Sequence, residues 1–247
     1  MDDRLAKIAA HRWWHTIDIA QGVSTPGGWD LRETSAKLPW PDVRGKRCLD
    51  VGTMDGFWAF ELERRGAAEV VATDIGPARA DAPGRRRTEG GGEEPLGKHT
   101  FALAAELLGS RAEYRERNVY DLDPSVDGEF DVVVLGFVLQ MVRDPLRALA
   151  AIRSVCRGHL LLLDTVSLPL SLLPAPLARL DARRGALEWF VFNRRGLIRA
   201  VDHAGFEVEV ATGILRDESG AGASGSLGHR LGILGRSCAI RARSANI

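Results

Sequence analysis

Leu49-Asp50-Val51-Gly52-Thr53-Met54-Asp55-Gly56-Phe57 is the stretch on which the reading of this chain turns. A short apolar run, residues 46–51, closes on an acid and Gly52. From Phe57 the spacing of Phe57, Phe60, Glu61 and Arg64 is helical, and Gly66 stops it as a C-terminal glycine does. Glycines at such a turn let the backbone approach a ligand, and the free N–H groups of the helix start face it. A dinucleotide site would read G-x-G-x-x-G, whereas this turn reads D-x-G-x-x-x-G. An acid ahead of the first glycine repels a pyrophosphate and suits a ligand with a cationic end. A nicotinamide dehydrogenase is therefore disfavoured.

Outward from this turn, strand-like and helix-like segments alternate, the pattern of a parallel sheet covered by helices on both faces. Strands are expected at 46–51, 69–74, 112–119, 130–135, 159–163, 206–211 and 238–242, with helices at 57–65, 100–108, 145–155 and 195–204. Asp74 ends the second strand, where a carboxylate accepts the ribose hydroxyls of an adenosine. After the third strand, Asn118 is placed to hydrogen-bond an adenine edge while Val119 or Tyr120 packs on its face. The bend from Gly136 to Gln140 follows the fourth strand and points to the same crevice, the switch point at which open α/β sheets bind ligands.

Composition narrows the classes further. The 247 residues carry 33 basic and 33 acidic side chains and are 45% hydrophobic, which excludes disorder and gives no net attraction for a polyanion. Cys48, Cys156 and Cys238 are scattered, so neither a disulfide framework nor a zinc site is expected, and no metal is. The most apolar run, 160–173, is interrupted by Asp164 and Pro169 and is too short to span a bilayer. A cytoplasmic protein without a membrane partner is expected.

LDVGTMDGFWAFELERRGA, EVVATD, NVYDL, FDVVVLG and DPLRAL together resemble class I S-adenosylmethionine-dependent methyltransferases. Among these the chain looks most like the group related to the tRNA wobble-uridine 5-oxyacetate enzymes, over roughly residues 11 to 212. The resemblance implies a doubly wound, seven-stranded, mostly parallel sheet with an antiparallel last strand. It implies S-adenosylmethionine as cofactor and S-adenosylhomocysteine as product. Gly52, Thr53 and Gly56 would then line the methionine part, Asp50 would sit near its amino group, and Asp74 with Ile75 near the ribose. Asn118 and Val119 would meet the adenine, and Gly136 would border the crevice. Met54 stands where the usual motif has its middle glycine, and Gln140, a candidate catalytic residue, where relatives often carry a histidine.

Outside this frame, residues 1–45 carry His11, Trp13, Trp14, His15, Trp29 and Trp40 and resemble the relatives' opening segment, a lid or substrate segment ahead of a 46–247 cofactor domain. The alternative is that Trp13 and Trp14 anchor the segment on the core and that His15 is an ordinary half-buried histidine. His15 is otherwise the candidate general base, because imidazole titrates near neutral pH. Asp55 either borders the cofactor or caps the following helix. An irregular, partly helical insertion is expected near 167–188, and Trp14, Trp189 and Asn193 are candidates for the acceptor pocket. Residues 77–97 and 219–228 read as loops, and Arg85 to Arg87 as a solvated charge run.

The expected reaction is methyl transfer to a small-molecule acceptor in natural-product metabolism. The alternatives are tRNA wobble-uridine methylation or carboxymethylation, for which Arg85–Arg87, Arg183, Arg184, Arg194 and Arg195 would have to form one face, and a cofactor-binding partner protein without turnover.

Overall fold

The computed structural model describes residues 3–75, 97–180, 188–216, 218–219 and 236–245. Seven strands run across the central sheet, β1 (Arg47–Val51), β2 (Glu69–Asp74), β3 (Glu113–Glu116), β4 (Phe130–Gly136), β5 (Cys156–Thr165), β6 (Phe206–Ala211) and β7 (Arg236–Ser244), and a short eighth, Leu215–Arg216, pairs with β7 off that path. Their order is β6-β7-β5-β4-β1-β2-β3. All pairs from β5 to β3 are parallel, and β7 runs antiparallel to both β5 and β6. The parallel sheet expected from the alternating pattern is observed, and so is the antiparallel last strand that the resemblance implied.

Apolar runs such as Val132-Val133-Val134 are buried on both sides because helices cover both faces. On one face Leu49, Val133 and Leu135 meet Leu149 and Ile152 of α3 (Pro145–Val155) and Leu197 of α4 (Arg194–His203). On the other, Cys48, Val70 and Val134 meet Phe57 and Trp58 of α1 (Phe57–Arg64) and Phe101 of α2 (Lys98–Leu108). Gly66 and Gly109, both at positive φ, follow α1 and α2 as their stop signals require.

Two expectations are revised, and for the opening segment the anchoring alternative holds at Trp13. β3 ends at Glu116, not at residue 119, because the Asn118 side chain accepts the Tyr120 N–H and turns 119–121 into a 3-10 helix. β5 and β7 are longer than expected, since they pair with each other from Ser237↔Thr165 to Arg243↔His159. The opening segment is built into the core: Trp13, Ile17, Leu31, Leu38 and Val43 are buried with α1 and α2. Within that segment, Asp18–Ala20 and Val23–Ser24 form a small hairpin around Gly22.

The insertion after β5 comprises a helical turn, Leu168–Ser171, and a strand, Ala178–Leu180, which pairs antiparallel with Phe190–Phe192. Arg85–Arg87, Arg183, Arg184, most of the 77–97 loop and residues 220–228 lie outside the described residues. Among the described residues, no helix is long and apolar enough to cross a membrane.

Candidate active site

The sequence run after β1 turns sharply because the Thr73 carbonyl at the end of β2 accepts both the Gly52 and Thr53 N–H groups, at 2.8 and 2.9 Å. Gly52 has φ +75, and a Cβ there would lie 2.5 Å from the Val138 side chain. Glycine thus lets the loop after β4 close over the loop after β1. Met54 adopts the left-handed region at φ 50 and donates its N–H to Asp74 Oδ2 at 2.7 Å, while the Ile75 N–H donates to Oδ1 at 2.7 Å. Each carboxylate oxygen of Asp74 retains a further lone pair. Burial pushes Asp74 up to about 6, against the pull of the two N–H donors.

Asp50 is the anomaly of the site. Its side chain is fully buried, yet neither oxygen has a hydrogen-bond partner, and the Thr53 and Thr16 hydroxyls are orphaned as well. Burial pushes its carboxyl up to about 7, with the nearby Thr53 hydroxyl and the His15 imidazole pulling the other way. A buried acceptor without a donor costs about 1–3 kcal/mol, so this group stands ready for a donor that comes from outside the chain.

Asp55 does not cap α1, whose N-cap is Gly56 without a side-chain bond. Its Oδ2 accepts the backbone N–H groups of Trp14 and His15, at 2.7 and 2.8 Å, and its Oδ1 bonds the His15 Nδ1. This third role binds the opening segment to the loop between β1 and α1. Gly56 donates its N–H to the Thr53 carbonyl, and a Cβ on it would strike the Phe60 and Phe101 rings.

Asn118 lies beyond β3, beside β2, where the Arg117 N–H reaches the Asp74 carbonyl. With its Oδ1 on Tyr120, only the amide N–H groups remain to donate. Val119 is buried in the core, 8% exposed. Gly136 makes room for the Trp58 indole, since a Cβ would sit 2.2 Å from its Nε1.

On the acceptor side, Gln140 lies on the 3-10 turn Leu139–Met141 after β4, and its carbonyl accepts the Trp189 N–H at 2.6 Å. Gln140 Oε1 and Trp189 Nε1 are both buried without partners. Asn193 is brought near this region but does not line it. Its Oδ1 accepts from Gly196 and Leu177, and its Nδ2 donates to the Leu170 and Ala175 carbonyls, so the side chain is wholly spent on the insertion. Arg194 is likewise committed, to the Thr212 and Ala211 carbonyls, which removes it from any arginine face.

Sequence reasoning missed Asp164. It is buried at the C-terminal end of β5 and accepts the Leu139 and Thr165 N–H groups, at 2.9 and 2.8 Å, so it holds the turn after β4. Burial pushes it up to about 7. The signal was present, because an acid closing an apolar strand is the same feature that singled out Asp50 and Asp74.

Comparison with known proteins bears on this arrangement. Residues 30–210 match the family described as "Methyltransferase domain". The chain is similar to a ubiquinone biosynthesis O-methyltransferase of Marinobacter nauticus, 28% identical over 214 residues that cover 83% of this chain and 81% of that protein. It is also similar to one from Hahella chejuensis, 30% identical over 150 residues, 60% of this chain. The match spans about half, 53%, of the Hahella protein's length. Among solved structures, the N-terminal domain of EvdMO1 with SAH and D-fucose superposes with a TM-score of 0.57 at 19% identity, covering 100% of this chain and 98% of that one. A Burkholderia thailandensis 1,6-didemethyltoxoflavin-N1-methyltransferase with S-adenosylhomocysteine gives 0.56 at 17% identity, covering 87% and 78%. The two superpositions show the fold, and the sequence match over 30–210 shows the descent: this chain belongs to the methyltransferase-domain family, in its S-adenosylmethionine-dependent class I form.

Proposed function

We propose that the protein transfers a methyl group from S-adenosylmethionine to a small-molecule acceptor. The observation that carries the reading is the orphaned Asp50 carboxylate, buried beside the orphaned Thr53 hydroxyl at the mouth of the 52–56 loop. An aminoacyl ligand brings the missing donor as its ammonium group, and Asp50 balances that charge. Asp74 then takes the ribose hydroxyls on its free lone pairs, and Asn118 offers its amide N–H to an adenine nitrogen. The bound cofactor supplies an electrophilic methyl group on a sulfonium. The chain's own work is to hold that group still and to bring an acceptor in line with it, which accounts for a large part of the rate in such displacements.

The relatives named for O-methylation and the neighbour named for N1-methylation of 1,6-didemethyltoxoflavin both favour a small acceptor over a macromolecule. So does the even charge balance, which offers no steering field for RNA. The acceptor enters between the turn after β4 and Trp189, and it belongs to secondary metabolism.

A thermal-shift experiment tests the reading with S-adenosylhomocysteine, carboxy-S-adenosylmethionine and NAD. A ligand at a hundred times its Kd adds about 2.7 kcal/mol, which for a chain of this size raises Tm by about 5–10 °C. The expected result is a rise with S-adenosylhomocysteine that Asp74→Ala removes. A preference for the carboxylated cofactor moves the protein to the tRNA-modifying reaction. No rise with any of the three sinks the proposal.

A further inference from the structure

His15 is held more tightly than a histidine serving as an anchor requires. Two backbone N–H bonds to Asp55 Oδ2, from Trp14 and His15, already fasten the segment to the 52–56 loop. The Thr25 hydroxyl donates to the His15 carbonyl at 2.6 Å, and Gly27 packs so closely that a Cβ would lie 2.0 Å from the His15 carbonyl carbon. The imidazole adds a separate contact, Nδ1 to Asp55 Oδ1, with both side chains nearly buried, 7% and 1% exposed. The Phe57 ring lies 5.6 Å away and flanks it. With a carboxylate on Nδ1, the ring proton sits there and Nε2 carries the lone pair. Among the described residues nothing donates to Nε2. Nε2 is not among the fully buried unpartnered atoms, so it is open to an incoming group while Nδ1 is held.

The groups that set its electrostatics are two acids. Asp55 touches it directly, and Asp50, at the end of β1, senses its charge. Asp50 lies in the strand that leads into the 52–56 loop and Asp55 on that loop, so the imidazole is fixed relative to the orphaned Asp50 carboxylate.

We propose that His15 and Asp55 form an acid–base dyad, His15 as the base and Asp55 as its positioning residue, and that the acceptor is therefore a hydroxyl compound. The inference rests on the methyltransferase reading and deepens it. An amine attacks with a lone pair it already has, whereas a neutral alcohol or phenol must give up its proton as it attacks. The acceptor O–H bond breaks, its proton goes to His15 Nε2, and the oxygen pair forms the new bond to the methyl carbon. The methyl–sulfur pair stays with sulfur, leaving a thioether. Asp55 stabilises the imidazolium, which later returns its proton to water.

The test uses the full chain labelled with [15N]histidine, S-adenosylhomocysteine, and 4-nitrophenol as a chromophoric hydroxyl probe. Two-bond nitrogen–proton spectra are expected to show His15 with Nδ1 protonated and Nε2 free, and Nε2 moving when the probe joins the complex. Bound 4-nitrophenol is expected to absorb as its phenolate, with an ionised-to-neutral ratio about tenfold above that in buffer, the equivalent of one pKa unit. His15→Gln should abolish this excess while S-adenosylhomocysteine still raises Tm. Asp55→Asn, which keeps an oxygen for the two backbone donors, should lower the excess without abolishing it. A protonated Nε2, no phenolate excess in the unaltered chain, or an excess that survives His15→Gln overturns the dyad when the Tm rise is intact. Absence of that rise in the unaltered chain overturns the methyltransferase reading, and the dyad with it.

Discussion

At the scale of single residues, three aspartates at strand ends are held in a state that water would not give them. Asp50 and Asp164 are pushed up to about 7 and Asp74 to about 6 by burial. In the unfolded chain such groups titrate at about 3.9. Between about pH 4 and 7 the folded protein therefore binds more protons than the unfolded one, so these groups make stability fall as pH rises through that window. Asp50→Asn is expected to flatten the fall, measured as Tm against pH without ligand. Affinity for S-adenosylhomocysteine runs the opposite way, because the ammonium needs Asp50 ionised. Calorimetric titration should find binding weaker by about fivefold at pH 6 than at pH 7, and Asp50→Asn should remove that dependence. An unchanged dependence in the variant would exclude Asp50 as the ammonium partner. Gly136→Ala is a different kind of change: its methyl group would sit against the buried Trp58 indole, at an expected cost of about 1–3 kcal/mol in urea unfolding. Asp50 and Asp74 were legible in the sequence because each closes an apolar strand next to a glycine turn or a loop. The hydrogen bonds of Asp55 and Asn193 were not legible, because they are made with groups that sequence spacing does not bring near. Asp55 reaches back to residues 14 and 15, and Asn193 to residues 170–177.

At the scale of elements, the insertion after β5 hangs on one side chain. Asn193 caps α4 through one side-chain hydrogen bond and at the same time fixes the turn from Leu170 to Leu177 through three. Removing it leaves several buried backbone groups unpaired. Asn193→Ala is expected to lose about 3 kcal/mol in chemical denaturation, well above a cap lost alone. A loss under about 1 kcal/mol would show that water replaces the amide. The opening segment shows why amphipathic pattern alone misjudges such stretches. Its tryptophans are spaced by neither a helix nor a strand period, yet Trp13 is buried and donates its indole N–H to the Ile8 carbonyl at 2.9 Å. The same tryptophans that suggested a lid thus serve in part as core.

At the scale of the whole molecule, the seven strands were legible from their apolar runs, but their lateral order was not a property of any run. The family resemblance implied the strand count and the antiparallel last strand, while the order came only with the structure, and the short extents expected for β5 and β7 reflect the same gap. A strand read alone ends where its apolar residues end, whereas a paired strand continues as far as its neighbour does, here from Ser237 to Arg243. Deleting residues 236–247 should therefore do more than trim an end. It would leave β5 with an open edge and β6 with no neighbour in the sheet, and the expected outcome is loss of the cooperative unfolding transition with an increase in aggregation by light scattering. The place of β7 also bears on how the protein is made. The ribosome delivers β1 through β6 first, and the strand that belongs between β5 and β6 emerges after all of them. Throughout that interval the Leu160-Leu161-Leu162-Leu163 edge faces the cell unpaired, so a nascent chain depends on chaperones, or on rapid completion, until its final strand arrives.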